Sequence, residues 1–93
     1  MYAVIFRATL ANPGDDYQAM AAQLRERALN EYGCVEFTSV TEGDREIAIS
    51  YWESEQQILE WRNDPQHKLA QAMGRENWYR SFSVEVCEIT RSG

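Results

Sequence analysis

The chain holds a single histidine, His67, and histidine is the side chain best placed to exchange a proton near neutral pH. It is the first candidate for a catalytic base. On a helical wheel it lies on the flank shared with Ala70 and Gly74, away from a Leu69, Ala72 and Met73 stripe expected to face the core, so a solvated structural histidine is the competing reading. Trp52, Trp61 and Trp78, with Tyr51, Tyr79 and Phe82, supply flat apolar walls and N–H or O–H donors suited to a pocket for an aromatic or polyketide-like ligand. Plain core packing is the other use of the same rings. Arg7 interrupts an otherwise apolar strand. Turned inward, its guanidinium could steady an enolate or phenolate; turned outward, it is a surface charge.

Other chemistries lack their parts. Glu55, Glu60, Asp64 and Glu76 are scattered over helix faces with no pair placed for acid–base work, and read as solubilising charges. No GxGxxG, GxxxxGKS/T, GxSxG or HExxH occurs, so dinucleotide, P-loop, α/β-hydrolase and zincin chemistries are not expected. Cys34 and Cys87 are too few for a disulfide framework and show no metal-ligand spacing, which makes them free thiols in a reducing compartment. The reading includes neither metal nor cofactor.

Fifteen acids against nine Lys and Arg leave a formal net charge of −6, which would repel a phosphate backbone, so nucleic acid is not an expected partner. The apolar stretch from Tyr2 to Phe6 falls far short of the roughly 20 residues that span a bilayer and has no basic leader. A cytoplasmic protein without a membrane role is expected. Ninety-three residues suit one domain, 1–93, small enough to gain from burying more surface in an oligomer.

The elements that must position these residues follow from local patterns. Residues 2–11 are rich in β-formers and run into the turn chemistry of Asn12-Pro13-Gly14-Asp15. From Asp16 to Tyr32 apolar residues recur with helical spacing, and Gly33 stops the helix. Residues 34–41 and 45–53 form two strands joined by Glu42-Gly43-Asp44, a hairpin. Ser54 and Gln57 make a capping box for a second helical region, and Asp64-Pro65, a cap followed by a proline suited to a first helical turn, breaks that region near Asn63 and restarts it through about Asn77. Residues 80–91 alternate Phe82, Val84 and Val86 against Ser81, Ser83 and Glu85, a half-buried final strand.

The order is βαββαβ, a ferredoxin-like α+β arrangement: a four-stranded antiparallel sheet with both helices on one face. Strands two and four then lie at opposite edges, which separates Cys34 from Cys87. Ala3, Ile5, Trp52, Cys87 and Ile89 are expected on the uncovered face, too apolar a set to stay wet, so a homodimer is expected to cover it.

The runs Gly33-Cys34-Val35-Glu36-Phe37, Tyr51-Trp52-Glu53-Ser54, Trp61-Arg62-Asn63-Asp64-Pro65-Gln66-His67-Lys68 and Gly74-Arg75-Glu76-Asn77-Trp78-Tyr79 resemble the antibiotic biosynthesis monooxygenase family over nearly the whole chain. The resemblance implies a dimeric α+β barrel with a cleft between sheet and helices, and oxidation of aromatic polyketides by O₂ without metal or flavin. It would make His67 the base, with Trp61, Trp78 or Arg7 orienting the oxyanion. The haem-degrading branch of the same barrel needs a first-strand Asn and a His ten residues beyond the helix Trp. Here Arg7 and Gln71 stand instead, which argues against haem cleavage. A ligand-binding dimer without chemistry is the alternative function.

Overall fold

A computed structural model describes residues 1–11 and 14–93. The elements are β1 (Tyr2–Leu10), α1 (Asp15–Glu31), β2 (Glu36–Glu42), β3 (Arg45–Trp52), α2 (Glu55–Arg62), α3 (Pro65–Met73), a π-helical turn (Gly74–Trp78) and β4 (Tyr79–Glu88). The Asn12-Pro13 half of the expected first turn lies outside the described residues. All strand pairs are antiparallel in the order β2-β3-β1-β4, the ferredoxin-like sheet expected, with β2 and β4 at the edges. Cys34 and Cys87 are both free thiols. No helix among the described residues is long and apolar enough to cross a membrane.

Local signals in the sequence do what their chemistry predicts. Asp15 and Asp16 occupy the first turn of α1, where their charge complements the helix dipole. Gly33 follows that helix at φ 80°, a conformation that favours glycine, and a Cβ there would push aside the Gln57 amide, whose Nε2 would stand 2.7 Å away. The capping box is complete. The Gln57 amide donates to Ser54 Oγ at 3.2 Å, and Gln57 Oε1 accepts from the Ser54 amide at 3.3 Å.

Asp64 caps α3 as its place before Pro65 predicts, but it departs from the reading as a surface charge. It is 2 % exposed rather than a solubilising charge. Its Oδ1 accepts from the Gln66 amide at 2.8 Å and caps α3, while Oδ2 accepts from Arg27 Nε at 3.0 Å, from Arg27 Nη2 and from Tyr32 Oη at 2.6 Å. The Arg27 guanidinium beside it holds its carboxyl well below the usual range; Tyr32 and the α3 amides add to that, against the opposing effect of burial. A buried charge is tolerable because all these donors replace water. The consequence is structural: one carboxylate ties the start of α3 to the end of α1 and sets the rotation of α3 about its axis.

Register decides which face each strand residue takes. Val4, Phe6, Ala8 and Leu10 point toward the helices and join two core clusters, one with Trp52, Ile58 and Trp61, the other with Tyr17, Ala70 and Trp78. Trp52 is fully buried there, not on the uncovered face. Ala3 of β1 pairs with Tyr51, so the period of two sends Tyr51 to the open side and Trp52 to the core. The open face carries Ala3, Ile5, Ile47, Ile49, Tyr51 and Cys87, with Arg7 paired to Glu85. Phe82, Val84 and Val86 turn to the helix side but stay 43 %, 39 % and 41 % exposed, because β4 is an edge strand only partly reached by the helices.

Candidate functional site

Between the helix-facing side of the sheet and the pair α1 and α3 lies a cavity of about 370 Å³. Its floor is built from alternate strand residues: Val4 and Phe6 of β1, Phe37 and Ser39 of β2, Glu46, Ala48 and Ser50 of β3, Phe82 and Val84 of β4. Tyr17, Met20 and Leu24 of α1 and His67, Ala70 and Gln71 of α3 cover it. Such a volume falls at the small end of ligand pockets, which span roughly 300–1,000 Å³.

At one end Trp61 forms a wall. Its ring lies 5.2 Å from Trp52 and edge-on to Phe37 at 6.0 Å, and His67 packs on it, tilted by 56°, with centroids 4.2 Å apart. His67 Nδ1 lies 3.1 Å from the Trp61 carbonyl oxygen, an acceptor only, so the proton sits on Nδ1 and Nε2 keeps a free lone pair. Nε2 has no protein partner among the described residues. Burial holds the imidazole below the ordinary histidine pKa, outweighing the opposing pull of that carbonyl. His67 is therefore a neutral base at pH 7, set in the cavity wall.

The flank that the helical wheel gave to His67, Ala70 and Gly74 turns inward, and of the stripe expected to face the core Met73 packs on it while Leu69 does not. Ala70 is 7 % exposed and Gly74 is buried, whereas Leu69 is 51 % exposed. Anchoring of the first turn by Asp64 explains the rotation, since it leaves the row His67, Ala70, Gln71 and Gly74 facing the sheet.

Among the described residues one indole N–H in the cavity region is unengaged. Trp52 Nε1 donates to Ser50 Oγ at 2.8 Å, and Trp78 Nε1 donates to Asp16 Oδ2 at 3.2 Å. Trp61 Nε1 is buried without a partner among the described residues. An orphaned buried donor of this kind costs about 1–3 kcal/mol, and its retention calls for an explanation.

The opposite end is aromatic and acidic. Tyr79 packs on Phe6 at 5.3 Å, on Phe82 at 5.6 Å and edge-on to Tyr17 at 5.9 Å. Burial and then the nearby charge of Glu46 push the Tyr79 hydroxyl well above its usual pKa, so it stays protonated. Burial also raises the Glu46 carboxyl.

Of the residues singled out from the sequence, His67, Trp61, Trp78 and Phe82 line the cavity, and Trp52 backs Trp61 from the core. Arg7 and Tyr51 lie elsewhere. Both are on the far side of the sheet, Arg7 half-exposed and ion-paired with Glu85, because odd-numbered positions of β1 and β3 face away from the helices. Sequence reasoning did not single out Phe6, Phe37, Ser50 or Glu46. The signal was present: Glu46, Ala48, Ser50 and Trp52 share one strand face, so assigning Trp52 to the core assigns the other three to the helix side.

A four-stranded ferredoxin-like sheet with a ring-lined hollow under its helices defines a class of small α+β proteins. Residues 1–73 match the antibiotic biosynthesis monooxygenase family, and the chain belongs to that family. It is 35 % identical over 91 residues to the YqjZ protein of Bacillus subtilis, covering 97 % of this chain and 80 % of the relative. It is 30 % identical over 97 residues to a jasmonate monooxygenase of Pyricularia oryzae, covering 99 % of this chain and 45 % of that longer protein. Among solved structures it is similar to SnoaB, a cofactor-independent oxygenase from Streptomyces nogalater, with a TM-score of 0.80 at 13 % identity over 98 % of this chain and 94 % of the other. Rv0793 from Mycobacterium tuberculosis has a TM-score of 0.79 at 21 % identity over 98 % and 96 %. These structural likenesses establish the shared fold.

Proposed function

We propose that the protein is a cofactor-independent monooxygenase that oxidises a small aromatic or polyketide-like substrate with O₂, and that it works as a homodimer. One observation carries the reading: His67, in the wall of an aromatic cavity, has a neutral Nε2 without a partner among the described residues, and its ring packs on Trp61, whose buried N–H is also unpartnered. An acidic phenol or anthrone, once deprotonated, can itself pass an electron to O₂. The protein then needs only to bind the ring system, remove a proton and exclude water. In this reading His67 Nε2 takes the proton, and the Trp61 N–H donates to the oxyanion that results. Neither Trp78, whose N–H is engaged by Asp16, nor Arg7, on the other face, fills that second role. Oxidation of an anthrone methylene by one O₂ yields the quinone carbonyl and one water, which balances without an external reductant. The names of the Streptomyces and Pyricularia relatives, both oxygenases, support the reaction class.

The homodimer follows from the open sheet face, where Ala3, Ile5, Ile47, Ile49, Tyr51 and Cys87 form an apolar surface that a second copy would bury. Oxygen uptake with an anthrone probe tests the function. Turnover is expected to fall at least about 100-fold in His67→Ala, the usual contribution of a positioned base. Undiminished turnover in that variant would remove His67 from the mechanism. A dimer without any oxygen uptake, binding the anthrone reversibly, would establish the alternative of a binding protein.

A further inference from the structure

Charge is distributed over this molecule in a way that the oxygenase reading does not require. The chain carries 15 acids and nine Lys and Arg, yet the cavity lining holds three arginines, Arg25, Arg62 and Arg75, and a single acid, Glu46. The ion pairs of the described residues use Arg7 and Arg27 and none of these three. An acidic protein thus surrounds an apolar hollow with uncompensated guanidinium groups. All three are exposed, so their attraction for an anion acts at longer range and weakens as salt screens it.

The three arginines divide between two ends. α1 runs antiparallel to α3: Tyr17, near its start, packs on Trp78, and Arg27 and Tyr32, near its end, bind Asp64. Arg25 therefore belongs to the His67 end. So does Arg62, the last residue of α2, whose charge acts on the His67 ring. Arg75 follows Gly74, which lies against the Tyr79 ring, and so belongs to the opposite end, where the negative charge of Glu46 acts on Tyr79.

We propose that the substrate of the oxygenase reading, on which this inference rests, carries a carboxylate on its apolar ring system, held at the His67 end of the cavity by Arg25 and Arg62. The planar guanidinium fork matches a carboxylate in geometry. Glu46 repels the same group from the Tyr79 end, so the rings lie toward Tyr79 and Phe82 and the charge stays beside Arg25 and Arg62. Carboxylate recognition thereby fixes which ring faces His67.

The single histidine makes the test direct, because its ring proton signals report binding without ambiguity. Titrations would compare naphthalene-2-carboxylate with naphthalene-2-carboxamide, equal in shape and different in charge. The carboxylate is expected to bind about tenfold more tightly at low salt, with the ratio approaching one near 1 M salt, where screening acts within ~3 Å. It also raises the midpoint of the His67 titration, which the carboxamide leaves in place. Arg25→Gln and Arg62→Gln each reduce the ratio roughly threefold, Arg62→Lys restores part of it, and Arg75→Gln leaves it unchanged. These exposed positions tolerate substitution, so folding does not confound the outcome. Equal affinities in the wild-type protein, or a ratio indifferent to the Arg25 and Arg62 changes, overturn the inference; if anthrone oxidation persists in that case, the oxygenase reading stands. If neither probe moves the His67 signals and no oxygen is taken up, both fall together.

Discussion

Trp61→Phe separates a ligand-binding N–H from a packing residue, because in the free protein its effects on stability nearly cancel. The indole is 7 % exposed and packs on Trp52, Phe37 and His67. Replacing it by a phenyl ring gives up apolar burial on the order of 50 Å², which at roughly 25 cal/mol per Å² amounts to about 1.3 kcal/mol. The same change removes the orphaned Nε1, and with it an unmet desolvation cost of about 1–3 kcal/mol. The two contributions oppose each other, so the unfolding free energy of Trp61→Phe is expected to lie within about 1 kcal/mol of the parent. Catalysis has no such compensation: losing one donor to a developing oxyanion lowers kcat by about 100- to 1,000-fold. Thermal unfolding and oxygen uptake with an anthrone are the paired assays. A stability loss above about 3 kcal/mol would show packing to be the dominant role of Trp61. Full turnover in a stable variant would refute its role toward the oxyanion.

Four further outcomes follow from the same geometry. Asp64→Ala leaves Arg27 and Tyr32 without their shared acceptor and uncaps α3, and is expected to lower the unfolding free energy by about 3–5 kcal/mol, measured by urea titration. Because the folded-state pKa of Asp64 lies below its unfolded value of 3.8, its contribution is present above about pH 4 and is lost as pH falls through the folded value, so Asp64→Asn flattens the acid limb of stability. His67 has a folded pKa below 6.5, so the unfolded chain binds more protons just below that pH; stability from this residue declines as pH drops through the window, and oxygen uptake loses its base further down, both absent in His67→Gln and checked by proton NMR titration. Gly74→Ala places a Cβ 2.4 Å from the Tyr79 ring, which must move, and a drop in melting temperature with altered near-UV circular dichroism is the expected sign.

The order of the site rests on groups that would touch no substrate themselves. Asp64 reaches the His67 amide at 3.4 Å and fixes the start of α3, so its loss is expected to disturb the base as well as the fold. The carbonyl of Trp61 sets the tautomer of His67 while the ring of Trp61 sets its tilt, which makes the pair a single unit.

Much of the architecture was written in local patterns. The capping box at Ser54 and Gln57, the cap and proline at Asp64-Pro65, the stop at Gly33 and the hairpin around Gly43 act over a few residues, so spacing alone revealed them. From those elements the ferredoxin-like order followed. Three facts depended on contacts between residues far apart in the chain. Pairing register moved Trp52 into the core and left Tyr51 and Arg7 on the open face, since a period of two assigns sides only once one pair is known. A buried ion pair with Arg27, 37 residues away, turned Asp64 from an apparent surface charge into the anchor of α3. That anchor rotated His67 inward and buried Ala70 in place of Leu69, a choice the helical wheel could not make because both flanks of α3 carry apolar residues and only the packed neighbour selects between them.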